Sequence, residues 1–287
     1  MKKTNLVLAG SGYVSNEIIK QFSEYEHNFS ITELSRSKKL RISSIKSIQV
    51  DFDNIADDMD YIDNSIIIYM APPSNSSEKD TRIKNFLHKI KNYKINRVIY
   101  ISTSGVYGNC NNEEVSETKK VNPLTERAKR RVNAEKQVTR FCKEMNISLI
   151  ILRVPGIYGK NRLPMNRINN SEPLIRMEDS RTTNLIHVSD LSRIAIKSLD
   201  INIIEKEIIN ISDGSAIKTT KYYEEIYKAL GKKLPPYITL EVALKSYDEK
   251  RLSFLKESRI LDTTKMDKFF PGCIKYKLVK DGIKASL

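Results

Sequence analysis

Gly10-Ser11-Gly12-Tyr13-Val14-Ser15 is the stretch whose residue types and spacing are best suited to chemistry. It keeps the spacing G-x-G-x-x-G, with serine at the third glycine position. The first glycine lets the chain turn sharply, and the second lets backbone N–H groups touch a pyrophosphate. The anion then lies on a helix N-terminus, where unpaired N–H groups and the helix dipole favour negative charge. The third glycine serves close helix–strand packing, and Ser15 adds only a hydroxymethyl there. The surroundings fit: the apolar run Leu6-Val7-Leu8-Ala9 reads as a buried strand, and a helical pattern follows to Ile19. In that context a dinucleotide site, with contacts from Gly10, Gly12, Tyr13 and Val14, is favoured over a glycine turn without ligand.

Arg36 follows a second apolar run, Phe29 to Leu34. A dinucleotide enzyme that uses NAD carries an acid there for the ribose hydroxyls, whereas a cation accommodates a 2′-phosphate. Ser35 adds a hydrogen bond. Glu33 is the competing acid, but alternation and its place before the strand end make it less suitable. The expected cofactor is therefore NADP(H) in preference to NAD(H); the alternative for Arg36 is a solvated loop residue. Arg127, Arg130 and Arg131 fall within about a helical turn, and residues four apart share a face. They suit a phosphate or carboxylate, or else a solvated basic face. Cys110, Cys142 and Cys273, and His27, His88 and His187, are too scattered for a metal site, and none is expected.

The elements needed to position these residues alternate. Strands are expected at 6–9, 29–34, 47–51, 65–70, 97–102 and 147–152, the fourth a continuous apolar run as in a central parallel strand. A helix follows the glycine loop. Ser77 with Asp80 reads as a capping box for another, to about Tyr93. A charged helix is expected from Thr125 to Met145. Six strands separated by helices indicate an α/β fold, a Rossmann-type doubly wound parallel sheet with ligands at the strand C-terminal ends. Residues 1–160 form the expected dinucleotide-binding domain. Residues 161–287 form a small substrate lobe interleaved with returns to the sheet at about 184–212. Within it, 161–181 reads as loop, 190–199 and 219–230 as helices, and 207–211 as a strand.

The chain has 287 residues, 40% of them hydrophobic, and a net charge of +14. Nucleic acid is the first partner such a charge suggests, but the lysines are spread along the chain and no finger, RNP or arginine-rich motif is present. Nucleic acid is therefore disfavoured, and a basic surface still attracts phosphorylated ligands. No apolar run approaches membrane-spanning length, and Met1-Lys2-Lys3 precedes too short an apolar stretch for a secretory signal. Unpaired cysteine spacing points to a reducing cytoplasm.

Four stretches carry a family resemblance: Tyr100-Ile101-Ser102-Thr103-Ser104-Gly105-Val106-Tyr107-Gly108, Leu152 to Gly159, Asn184 to Leu191, and Asn210 to Gly214. With the glycine loop, in this order, they resemble the extended short-chain dehydrogenase/reductase superfamily of nucleotide-sugar epimerases and dehydratases. Met70-Ala71-Pro72-Pro73 and Ser258-Arg259-Ile260-Leu261-Asp262 look like its atypical, YeeZ-like branch. The resemblance implies that Asp51-Phe52 contacts adenine and that Ala71 and Pro72 line the cofactor. It implies that Thr103 binds a substrate oxygen and that Tyr107 packs or contacts substrate. Members of that superfamily carry a Tyr-x-x-x-Lys pair on the helix after the fifth strand. Counted back from Ala134-Glu135, the pair falls on Arg127 and Arg131. Arg131 keeps a positive charge, whereas Arg127 cannot serve as acid/base because its pKa is far above neutral.

Two functions are therefore carried forward. One is an NADP(H)-binding oxidoreductase or epimerase-like enzyme acting on a phosphorylated or nucleotide-linked small molecule, with Thr103, Tyr107, Arg127 and Arg131 at the reacting centre. The other is a non-catalytic NADP(H)-binding sensor or scaffold. Neither reading fixes the substrate or the oligomeric state.

Overall fold

Apolar runs and caps set the elements of the computed structural model, which describes residues 4–23, 29–37, 45–75, 77–247, 252, 255 and 257–287. His27 and Met1-Lys2-Lys3 lie outside the described residues. The central sheet is built from β1 (Thr4–Ala9), β2 (Phe29–Ser35), β3 (Ile45–Gln49), β4 (Ser65–Tyr69), β5 (Ile95–Thr103), β6 (Ser148–Val154) and β7 (Lys206–Asn210). Its order is β7-β6-β5-β4-β1-β2-β3, all parallel. The order reverses beside β1, the point where a doubly wound sheet opens a ligand crevice. Registers of Ala9 to Leu34, Ala9 to Tyr69 and Tyr69 to Tyr100 bring four strand ends level. Every residue of β4 is buried, as burial on both faces of a parallel sheet demands.

Helix α1 (Tyr13–Ser23) leaves the glycine loop directly. Helix α2 (Thr81–Ile90) starts differently from the expected capping box. Asp80 is itself the N-cap, its carboxylate accepting the Arg82 and Ile83 N–H groups at 3.1 and 3.2 Å. Ser77 instead accepts the Lys79 N–H at 3.1 Å, in the turn before the helix. A buried aspartate reaches two orphan N–H groups, so the box collapses onto one residue. Helix α3 (Glu126–Glu144) is charged outside and buries Ala128, Val132, Ala134, Glu135, Val138 and Cys142 on one stripe.

The chain divides into two compact units. The first comprises Met1–Val106, Glu126–Arg153 and Leu191–Ile209, and the second Tyr107–Thr125, Val154–Asp190 and Asn210–Leu287. The first holds an apolar core in which Val7, Leu34, Phe52, Tyr69, Phe86, Tyr100 and Ile151 pack together. The second centres on Tyr158, Leu185, Tyr222, Ile226 and Ile283. Within 161–181, read as loop, the second unit forms a short helix Met165–Asn169 and a two-residue strand Leu174–Ile175. Both are shorter than the window over which periodicity is visible.

Candidate functional site

The glycine loop is tied to β2. The N–H groups of Gly10 and Ser11 donate to the Leu34 carbonyl at 3.1 and 3.0 Å. Gly10 has φ +101°, and a β-carbon there would run into the Ala71 backbone. Gly12 is the reverse case: a β-carbon would meet nothing within 4 Å. Its flank is open. Half-buried Tyr13 and Val14 open α1, where the first N–H groups of a helix lack intrahelical acceptors. Ser15 does more than replace a glycine. Its buried Oγ accepts the Gly12 N–H at 2.7 Å and donates to the Gly12 carbonyl at 2.9 Å, closing the loop on itself. Ser11 Oγ donates to Glu33, which is wholly buried.

At the far end of β2, Ser35 is buried and its Oγ donates to the Ser37 carbonyl at 2.6 Å. Arg36 is exposed and lies 3.4 Å from an Asp53 oxygen and 3.8 Å from Asp51. Arg82 grips Asp53 in a fork, at 2.9 and 2.7 Å, and donates to the Pro72 carbonyl at 3.0 Å. That fork holds the Asp53 carboxyl below its usual range. Asp51 is exposed, whereas Phe52 is buried against Tyr69 and Phe86, with ring centroids 5.8 and 5.2 Å away. Its ring belongs to the core and is not available to stack on a ligand. Sequence reasoning missed Asp53 and Arg82, whose pairing spans 29 residues.

At the ends of β4 and β5, Ala71 is buried and Pro72 exposed. Thr103 Oγ1 accepts the Gly105 N–H at 3.2 Å, leaving its own O–H without an acceptor among the described residues. The three arginines of α3 do not converge. Arg127 is exposed, and Arg130 donates to the Ser77 carbonyl and to Asn75 Oδ1, each at 3.3 Å. Arg131 turns to the sheet: Nη1 donates to Tyr100 Oη, the Ile101 carbonyl and the Ala71 carbonyl at 3.0, 3.3 and 3.4 Å. One turn further, Glu135 is buried in a fork with Arg153 at 3.2 and 2.8 Å, and accepts Ser102 Oγ–H at 2.6 Å. That pair locks α3 onto β5 and β6.

In the second unit, the buried Tyr107 hydroxyl donates to Asn210 Oδ1 at 2.7 Å. Asn210 in turn donates to the Val115 and Asp262 carbonyls and, through its N–H, to Glu117. His187 Nδ1 accepts the Ser189 N–H at 3.2 Å, so the ring proton sits on Nε2, which faces Ser286 Oγ at 3.3 Å. Asp213 is buried, and among the described residues neither its Oδ2 nor the buried Tyr158 hydroxyl has a hydrogen-bond partner. Burial, and secondarily the negative charge of Asp190, pushes the Asp213 carboxyl up to about 7. Among the described residues, no group of three or more His, Cys, Asp or Glu is placed to hold a metal, and no helix is long and apolar enough to cross a membrane.

Known proteins share this fold. The model of the NAD dependent epimerase/dehydratase family matches residues 6–212. A dTDP-D-glucose 4,6-dehydratase from Dictyostelium discoideum is 28% identical over 144 residues, covering 44% of this chain and 32% of that protein's length. Among solved structures, a functionally unknown protein from Silicibacter pomeroyi DSS superposes with TM-score 0.84 at 20% identity, over 99% of this chain and 98% of the other. A UDP-N-acetylglucosamine 4-epimerase from Methanobrevibacter ruminantium M1, in complex with UDP-N-acetylmuramic acid, gives 0.79 at 17%, over 100% and 97%. A UDP-glucuronic acid 4-epimerase from Bacillus cereus, in complex with NAD, gives 0.74 at 18%, over 98% and 97%.

Proposed function

The chain belongs to the NAD dependent epimerase/dehydratase family, and from that premise we propose that it is an NADP(H)-preferring enzyme of oxidoreductase or epimerase type. Its substrate is a small nucleotide-linked or phosphorylated molecule. The observation that carries the reading is the open flank of Gly12 beside the N-terminus of α1, where nothing lies within 4 Å of the place a β-carbon would take. A pyrophosphate fits there for the reason backbone N–H groups need glycine. Gly10 and Gly12 let the chain pass close to the pyrophosphate, and Tyr13 and Val14 at the start of α1 face it, since the N–H groups of Gly10 and Gly12 are spent on Leu34 and Ser15. Ser35 and Arg36 face the adenosine end, with the Asp51-Phe52 backbone at adenine, and Ala71 and Pro72 line the cradle. The relatives solved with UDP-sugars and NAD support both ligand classes. The preference for the 2′-phosphate rests on Arg36 alone.

When bound, the nicotinamide supplies hydride transfer to or from a carbinol or carbonyl carbon. Thr103 then does the polar work available to this chain. Its O–H is uncommitted and donates to the substrate oxygen. The superfamily's tyrosine position falls on Arg127, and a guanidinium is not a general acid or base. Tyr107 is a weaker candidate than its sequence position suggests, because its phenol is buried and donates to Asn210. A water molecule bound beside Thr103 is the better proton carrier. The exposed Arg127 also favours a second reading, a non-catalytic NADP(H) sensor or scaffold with the same cradle.

NADPH-linked turnover on a panel of nucleotide sugars and small carbonyls separates the two. The enzyme reading expects slow turnover that falls about 10²-fold or more in Thr103→Ala and survives Tyr107→Phe. Turnover indifferent to Thr103→Ala overturns the assignment. Tight cofactor binding with no turnover on any member of the panel shifts the weight to the sensor.

A further inference from the structure

Lysines that lie scattered in the sequence gather on one outer face of the first unit. Helices α2 and α3 follow β4 and β5, which stand side by side in the sheet with β6 next to β5. Right-handed crossovers put both helices on the same side of that sheet. They are joined there: Asn133 Oδ1 accepts the Asp80 N–H at 3.1 Å, and Gln137 donates to the Asp80 carbonyl at 3.0 Å. Each helix buries an apolar stripe, Ile83, Phe86, Leu87 and Ile90 in the case of α2. Opposite those stripes both helices are basic. On α3, Lys129, Lys136 and Lys143 recur every two turns and Arg140 lies one turn beyond Lys136, all exposed. That row is about 21 Å long. On α2, the exposed Lys84, His88 and Lys91 lie one turn apart and make a second row. Packed helices are about 8–10 Å apart, which sets the spacing of the rows. Glu126 pairs with Lys129 at 2.7 Å. Lys84, Lys91, Lys136, Arg140 and Lys143 have no carboxylate partner among the described residues. Helix α2 carries no acid, and the exposed acids of α3 are Glu126 and Glu144, at its two ends.

We propose that this two-helix face binds the phosphate backbone of a duplex nucleic acid, without reading its base sequence. Charge complementarity names the polyanion, and what the face lacks narrows it. No large apolar side chain is exposed within either helix, so nothing is available to enter a lipid surface. The phenylalanines of the two helices, Phe86 and Phe141, pack on the core, so no ring is offered to unpaired bases. A second copy of the chain would present the same charge and be repelled. A duplex backbone asks for neither apolar nor aromatic contact. It carries one charge per about 1.7 Å of axis, so flexible lysines along a row of about 21 Å meet phosphates without exact register. The two rows are separated in the sequence by β5 and the loop after it, which is why no basic block is visible along the chain. None of their residues belongs to the dinucleotide cradle.

Fluorescence anisotropy with a labelled DNA duplex of about 20 base pairs, between about 50 and 200 mM salt, measures the interaction. With five unpaired cations on the face, log affinity against log salt should fall with a slope of about −4 to −5 in the wild type. Lys136→Gln/Arg140→Gln/Lys143→Gln should weaken binding about tenfold or more at low salt and flatten the slope by about 3. Lys228→Gln/Lys233→Gln/Lys268→Gln removes the same charge from exposed lysines of the second unit. It should change affinity by less than about threefold. Every substituted side chain is exposed and glutamine is a good helix former, so both variants should keep the wild-type circular dichroism. Equal loss in the two triple variants would mean that net charge alone attracts the duplex, and overturns the proposal. So does a wild type that fails to bind the duplex at about 50 mM salt, or one that prefers the single strand. Vesicles rich in phosphatidylserine that hold the wild type more tightly than the duplex does would assign the face to a membrane. A wild-type dimer that the α3 triple variant dissociates in sedimentation would assign it to a second copy. Either result overturns the proposal.

Discussion

Asp213→Asn should stabilise this protein, and only above acidic pH. The native carboxyl is buried beside the turn that starts at Ser212. Its Oδ1 accepts the Ser215 N–H and Oγ–H, both at 2.9 Å, while Oδ2 has no partner. Burial pushes the group from 3.8 up to about 7. The unfolded chain therefore releases this proton near pH 4, whereas the folded chain keeps it until about pH 7. Between those values the unfolded state binds fewer protons, so stability is lost as pH rises and the loss is complete just above pH 7. About three pKa units at roughly 1.4 kcal/mol each amount to about 4 kcal/mol. Asparagine copies the protonated acid: its Oδ1 keeps both serine contacts and its amide fills the place of the carboxylic O–H. The variant should match wild type near pH 4 and exceed it by about 4 kcal/mol at pH 8. Urea unfolding followed by circular dichroism at four pH values between 4 and 8 measures the difference. A variant less stable than wild type at pH 8 would show that the ionised carboxylate is stabilised by the fold and not penalised by burial, and would refute the reasoning.

The other perturbations bear on the site and its scaffold. Arg36→Ala should weaken NADPH about tenfold or more and leave NADH nearly unchanged, since one charge-assisted phosphate contact is lost; fluorescence titration decides, and equal wild-type affinity for the two dinucleotides contradicts the assignment. Asp53→Asn should loosen the Arg82 fork and lower the discrimination between NADPH and NADH in the same titration, because Arg36 and Arg82 share that carboxylate; unaltered discrimination would leave Arg36 independent of it. Glu135→Ala should cost about 3–5 kcal/mol of stability, because it removes the carboxylate that forks the buried Arg153 guanidinium; a loss under 1 kcal/mol in urea unfolding would show that the pair adds little to the fold.

Local patterning made the sheet legible. Ser65 to Met70 is an unbroken apolar run and became β4, buried throughout, because parallel strands need both faces covered. The glycine loop was equally plain, since Gly10 and Gly12 act through backbone geometry that spacing encodes. Ser15 was only half readable: its type allowed packing, but its bonds to Gly12 required the loop to be built. Phe52 shows the opposite limit. A position matched to an adenine-contacting segment gave no sign that the ring would pack on Tyr69 and Phe86, 17 and 34 residues away. Arg130 and Arg131 are adjacent in sequence and point to different partners, because a helix turns about 100° per residue. Tyr100 and Arg131 meet across 31 residues. No periodicity reports such a contact, since it depends on how α3 lies against β5.

Gly12→Val is the most direct test of the dinucleotide cradle. Among the described residues, nothing beyond its own chain neighbours lies within 4 Å of the new β-carbon, and Gly12 lacks the positive φ of Gly10, so the fold should persist with an unchanged circular dichroism spectrum. The branched side chain would occupy the space in which backbone and pyrophosphate meet. Calorimetry should record NADPH binding to the wild type and none to the folded variant. Undiminished NADPH binding by folded Gly12→Val would place the cofactor elsewhere and contradict the account.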